Sequence, residues 1–203
     1  MSSARAISII ALFTSLIIAT DYGLAPFPNV KLLDTVVFSS AYAFGFKLGA
    51  AIAICSELVW SLISPYGFAG LIIPFTVGGE ILFAFAGYFA SRIWGKPDGL
   101  SVFSAKNTFF GAFLLICAFV WDFETNIGTG LITGARNLPA LLSFLVVGIP
   151  FMIPHEIADF VFGSLLAPII IVYFWRIFRG RKSTIFSATT TGSQINQGGG
   201  SMQ

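Results

Sequence analysis

Between residues 6 and 178 the chain is a succession of apolar runs, each closed by a charge or by a Gly or Pro. Runs of this kind, as they approach ~20 residues, read as helices that cross a lipid bilayer. They cover residues 6–20, between Arg5 and Asp21, then 32–46 and 48–64 on either side of Lys47, then 70–94, 107–133 and 154–178. A further piece, 138–149, would rise only ~18 Å as a helix, well short of a hydrocarbon core of ~30 Å. It reads as a half-helix or re-entrant segment ending at Pro150 and Pro154. The expected fold is an all-α integral membrane protein, a six-helix transmembrane bundle with that short segment before the last span. Residues 1–182 form its single transmembrane domain.

Composition supports a bilayer as the solvent. The chain is 56% apolar and only 10% charged, against roughly 45–50% and about 25% in soluble domains. Cys55 and Cys117 lie in apolar runs without CxxC spacing and read as small buried residues. Residues 183–203 are rich in Ser, Thr, Gly and Gln; they lack the apolar content to fold and read as a disordered cytoplasmic tail.

The six-span reading places Arg5, Lys47, Arg92, Lys96, Lys106, Arg176, Arg179, Arg181 and Lys182 on one side, and only Lys31 and Arg136 on the other. By the positive-inside rule both termini are expected in the cytoplasm of a multi-pass cell-membrane protein. The first run also resembles a signal peptide, but no small-x-small cleavage site follows at Ile18-Ala19-Thr20-Asp21, so it is expected to be retained.

Acidic residues fall where they are expensive. Of nine, only Asp98 is placed on the cytoplasmic side, and a charge at mid-bilayer costs about 2.5–3.5 kcal/mol on insertion scales. Glu57 shares a helix face with Ala53, Trp60, Ser61 and Ser64. Glu80 follows Gly78-Gly79, where missing side chains admit another backbone or a ligand. Asp122, Thr125, Asn126, Thr129 and Thr133 form a polar stripe, and His155 and Asp159 share a face four residues apart. Two readings stand: a ligand pocket in the outer half of the bundle beneath residues 21–31, or structural pairing, such as Arg136 with Asp122 or Glu124.

His155-Glu156-x-x-Asp159 has the spacing of a zinc-protease helix, with Asp in place of the second histidine and no other histidine in the chain. There is no Gly-x-Ser-x-Gly elbow, and Gly95-Lys96 is followed by Pro97 rather than by a phosphate-loop Ser or Thr. Energy-driven transport would therefore draw on another chain's ATPase. Ala11, Ser15 and Ala19 recur every four residues on the first run, a small-residue stripe suited either to docking in lipid or to internal packing.

Taken in order, several short motifs carry a resemblance to a known family. The small-residue first span precedes Pro28-Asn29-Val30-Lys31-Leu32 and Asp34. Phe44-Gly45-Phe46-Lys47-Leu48-Gly49, Pro65-Tyr66-Gly67, Gly79-Glu80, Asp122 with Thr125-Asn126, Pro150-Phe151, His155 and Pro168 follow. Over residues 11–178 the chain resembles the substrate-binding S component of energy-coupling-factor (ECF) transporters, most closely the archaeal-type branch. It departs from the family pattern at Asp159, Ser64 and Ala53.

The resemblance implies a six-helix bundle that captures a vitamin or related micronutrient from outside. The bundle would dock on a T component and two ATP-binding-cassette ATPases. Ala11, Ser15 and Ala19 would form the docking stripe, and residues 21–31 a lid. The expected substrate-binding residues are Trp60, Glu80, Trp121, Asp122, Asn126, His155 and Asp159, with no cofactor and no catalytic group. Two alternatives are an intramembrane metal-dependent hydrolase using His155, Glu156 and Asp159, and a non-catalytic membrane scaffold.

Overall fold

The computed structural model describes residues 3–97, 100–102 and 104–179. Seven α-helices account for most of them: α1 (Ser3–Leu24), α2 (Leu33–Phe44), α3 (Phe46–Ile63), α4 (Ile73–Trp94), α5 (Thr108–Ile132), α6 (Leu138–Leu165) and α7 (Ala167–Arg179). No strand occurs among the described residues. A helix satisfies its backbone within one segment, as an apolar solvent requires. Among the described residues, five segments are long and apolar enough to cross a membrane: α1, α3, Gly70–Trp94, Ala105–Ile132 and α6.

The other two helices are short, α2 with 12 residues and α7 with 13, so they rise only ~18–20 Å. α2 is the centre of the molecule. Every residue from Leu33 to Ala43 is buried, and the helix touches all six others, most extensively α4, α3 and α7. A helix apolar around most of its circumference has no face for water and is buried on all sides. Its first turn, out of contact with water, still carries N–H groups that lack intrahelical partners. Asp21, near the end of α1, reaches across to accept a hydrogen bond from the Leu32 N–H at 2.8 Å.

Glycine sets how closely α2 is gripped. Gly45, at φ 96°, reverses the chain between α2 and α3 in a single residue. On α4, a Cβ at Gly87 would stand 2.1 Å from the Phe38 carbonyl oxygen, so the α4 backbone rests directly on α2.

The region before the last span differs from the expected arrangement. Residues 138–149 are not a separate half-helix: they are the first part of α6, which runs without interruption through Pro150 and Pro154. Membrane helices tolerate such prolines because neighbouring groups satisfy the freed backbone. The break falls instead at Leu166, ahead of Pro168 in the first turn of α7, where a ring without an N–H is accommodated. The residues expected to form one last span, 154–178, are thus divided between α6 and α7. Ala167, Ile171 and Trp175, four apart, turn one face of α7 inward.

Aromatic contacts tie together one end of the bundle. Phe13 of α1 packs edge-on against Phe174 of α7 at 4.2 Å, and Phe44 at the end of α2 packs against Phe178 at 5.7 Å. The Arg5 guanidinium donates to the Phe178 carbonyl, and the Tyr42 hydroxyl donates to the Gly95 carbonyl at 3.0 Å. Arg5, Lys47 and Lys96 therefore gather at this end, and residues 25–32, 64–69 and 133–137 form the other. The tail, residues 183–203, lies outside the described residues.

Filling a backbone-to-backbone contact costs about 1–3 kcal/mol. Gly87→Ala is expected to lower the thermal midpoint in detergent, whereas Gly23→Ala, with nothing within 4 Å of the added methyl, is expected to leave it near the parent value. Equal midpoints would contradict the close α2–α4 packing.

Candidate functional site

At the end opposite the basic cluster, residues 25–32 fold down over the bundle and are held there by side chains. Asn29 takes a left-handed backbone, φ 61°, which Asn tolerates better than most residues. Its Nδ2 donates to Asp122 Oδ1 at 3.3 Å and to the Phe151 carbonyl at 3.1 Å, linking the loop to α5 and α6. The Tyr66 hydroxyl donates to the Ala25 carbonyl and the Tyr22 hydroxyl to the Ile63 carbonyl. Trp60 lies edge-on to both tyrosines, 5.7 Å from Tyr22 and 6.4 Å from Tyr66.

Two cavities lie beneath this loop. The first, about 270 Å³, is lined by Asp21, Lys31, Glu57, Trp60, Thr76 and Trp121 among others. The second, about 530 Å³, is lined by Asn29, Asp122, Thr125, Asn126, Gly148 and Phe151 among others. Trp121 borders both. Its indole N–H donates to the Thr76 carbonyl at 3.2 Å, and Gly79 makes room for the ring: a Cβ there would stand 2.1 Å from Trp121 Cδ1. At Gly79 the space expected to admit another backbone or a ligand is taken by the Trp121 side chain.

Lys31 is buried, with Nζ 4.8 Å over the Trp121 ring. Burial works against its charge, but Glu57, Asp34, Glu80 and Asp21 outweigh burial and raise its pKa above the ordinary lysine value. In the first cavity the Ser61 hydroxyl donates to Glu57 Oε1 at 3.0 Å, while Glu57 Oε2 and Asp21 Oδ2 make no hydrogen bond among the described residues.

Behind Trp121 lies a second polar layer. His155 of α6 packs edge-on against that ring, with centroids 5.4 Å apart. Its Nδ1 is 2.9 Å from Asp122 Oδ2, and its Nε2 is 3.4 Å from Asp34 Oδ2 and 3.8 Å from Asp159 Oδ2. The Glu80 carboxylate is within electrostatic reach of Asp34, Glu57 and Lys31. Asp21, Asp34, Glu57, Glu80, Asp122 and Asp159 are all buried, against only Lys31 and His155 as buried cationic or basic groups among the described residues. Each uncompensated ion in such surroundings costs several kcal/mol.

The residues expected at the site divide between these layers. Trp60 lines the first cavity, Asp122 and Asn126 the second, and Trp121 both. Glu80, His155 and Asp159 are fully buried and line neither. Asp122 pairs with His155 and Asn29 rather than with Arg136, which is exposed. Glu156 is half-buried and lies outside the His155 set. Ala11, Ser15 and Ala19 all lie on the exposed side of α1.

Asn29, Lys31 and Asp34 were expected only as parts of a motif, the first two also within the lid, and none of them as a substrate-binding residue. A usable signal was present: a lone lysine and an aspartate three apart, at the start of an apolar run.

No protein-family model, no curated protein and no solved structure matches the chain.

Leaving a buried charge without its partner costs about 3–5 kcal/mol. Lys31→Met is expected to lower the thermal midpoint in detergent, with exposed Arg136→Met as the reference that does not. Because the folded-state pKa of Lys31 is raised, its contribution is fully present below the ordinary lysine pKa of about 10.4 and fades as pH rises through the folded value. The Lys31→Met deficit should therefore persist from pH 7 to pH 9. Equal midpoints for the two variants would contradict this role.

Proposed function

We propose that the chain is the substrate-capture (S) subunit of an importer of the energy-coupling-factor type, taking up a vitamin or related micronutrient. The observation that carries this reading is the pair of cavities beneath the 25–32 loop, at the end of the bundle away from Arg5, Lys47 and Lys96. A concave pocket with aromatic walls and a few convergent polar groups is what small-ligand recognition requires. Its lining also defines the ligand: Glu57 and Asp21 stand with Trp60 and Trp121 in the wall of the first cavity, so in this reading the ligand is a ring that offers N–H or O–H groups to carboxylates. A flat heterocycle carrying amino or hydroxyl groups meets those demands. The first cavity, about 270 Å³, falls just below the usual size of ligand pockets, about 300–1,000 Å³, and the second, about 530 Å³, within it.

In this reading the chain crosses the cell membrane six times, with both termini cytoplasmic. α2 with its descending loop counts as one crossing, and α6 with α7 as another. Positive charge then lies on the cytoplasmic side, and the cavities face outside. Capture begins when the loop lifts, releasing the Asn29 and Tyr66 hydrogen bonds, and ends when they re-form over the ligand. Release to the cytoplasm is driven by a T component and two ATP-binding-cassette ATPases, docked on the exposed Ala11, Ser15 and Ala19 stripe of α1.

Native mass spectrometry of the detergent-purified chain, incubated with a vitamin panel, tests this directly. A vitamin-sized adduct is expected in the parent and is expected to fall at least tenfold in occupancy in Trp60→Ala and Glu57→Gln. A bare mass after every addition, or an adduct indifferent to both substitutions, would contradict the reading.

A further inference from the structure

Behind the Trp121 wall, α2, α4 and α6 bring together groups that line neither cavity. One ligand atom from each of Asp34, His155 and Asp159 lies within 4.8 Å of the other two, and all three residues are fully buried. With metal–ligand bonds of about 2.0–2.2 Å, neighbouring ligands of a tetrahedral ion stand roughly 3.4 Å apart. His155 Nε2 stands 3.4 Å from Asp34 Oδ2 and 3.8 Å from Asp159 Oδ2, so small side-chain adjustments complete that geometry.

Two independent features point to a cation in that space. The first is how His155 is oriented. Its Nδ1 faces Asp122 Oδ2 at 2.9 Å; with the proton on that nitrogen, Nε2 turns a lone pair toward two carboxylates. A carboxylate that fixes the tautomer of a ligating histidine is the usual outer partner of a protein-bound metal. The second is a set of unanswered acceptors. Both oxygens of Asp159 are buried and make no hydrogen bond among the described residues, and the Glu80 carboxyl packs against that of Asp34. A doubly protonated His155 would serve Asp122 and one neighbour, and would leave most of Asp159 unanswered. A divalent ion between them answers several of these oxygens at once.

We infer that Asp34, His155 and Asp159, with Glu80 as a further carboxylate, bind a divalent transition-metal cation that joins α2 to α6. One imidazole nitrogen with two or three carboxylate oxygens is a borderline-to-hard donor set. It suits Zn²⁺, Mn²⁺ or Fe²⁺ over soft Cu⁺, and the imidazole favours these over Ca²⁺ or Mg²⁺. Because the ligands line neither cavity, the ion is resident rather than cargo. The inference rests on this cluster alone and is independent of the transport reading.

The test uses the full-length chain in detergent, purified through a tag without histidines. It is loaded with Zn²⁺ or Co²⁺, freed of excess metal, and analysed by elemental mass spectrometry and absorption. About one equivalent per chain is expected, with visible d–d bands for Co²⁺ and a thermal midpoint raised by Zn²⁺ and lowered by a chelator. Asp159→Asn and His155→Gln should each reduce metal content at least tenfold, whereas Glu156→Gln, outside the set, should retain it. The parent spectra and chelator response need no variant to fold. Metal at background in a monodisperse parent, with a midpoint indifferent to Zn²⁺ and chelator, would overturn the inference. So would metal content unchanged in Asp159→Asn.

Discussion

One histidine holds the interior of this protein together. His155 stands between Asp122 of α5 and Asp34 of α2, with Asp159 one turn further along its own helix. In surroundings that exclude water, attraction between such groups is far stronger than at a surface, and so is the penalty for leaving any one of them unpaired. α2 touches every other helix. Fixing its first turn to α5 and α6 therefore fixes the register of the bundle. Asp21 adds a second tie at the same point by accepting from the Leu32 N–H. The aromatic contacts of Phe13, Phe44, Phe174 and Phe178 secure the opposite end.

The arrangement above that histidine is layered. Trp121 stands between His155 and the first cavity, with Gly79 behind it and Lys31 over its face, while Asp122, the partner of His155, borders the second. The 25–32 loop covers the cavities through Asn29, Ala25 and Tyr66. Glu57, Asp21 and Trp60 line the first of these cavities and Asp122 the second, while Trp121 borders both. In the proposed function this divides the labour: the outer layer recognises, and the inner layer keeps the helices in place while the loop moves.

Much of this was legible in the sequence, and the remainder failed for local reasons. Apolar runs bounded by charge located the helices because a chain in lipid has few other ways to satisfy its backbone. The same logic misread Pro150 and Pro154 as a stop, although both lie within α6; Pro168, treated only as part of a motif, lies next to the actual break. The length of α2 was overestimated, since residues 32–46 read as a full span while the helix covers only Leu33–Phe44. Trp121, Asp122 and His155 stood out as polar or amphipathic groups in apolar runs. Lys31, Asn29 and Asp34 did not, because their roles depend on a loop that descends into the bundle, and no local periodicity encodes that.

The account turns on the covered end of the bundle facing outside, ready to receive a ligand. In a Cys55→Ser, Cys117→Ser background, single cysteines at exposed Phe27 of the loop and exposed Lys47 of the α2–α3 turn can be probed with a membrane-impermeant maleimide. The account predicts that Phe27→Cys is labelled in intact cells and that Lys47→Cys is labelled only after permeabilisation. Labelling of Lys47→Cys in intact cells, with Phe27→Cys protected, would contradict it.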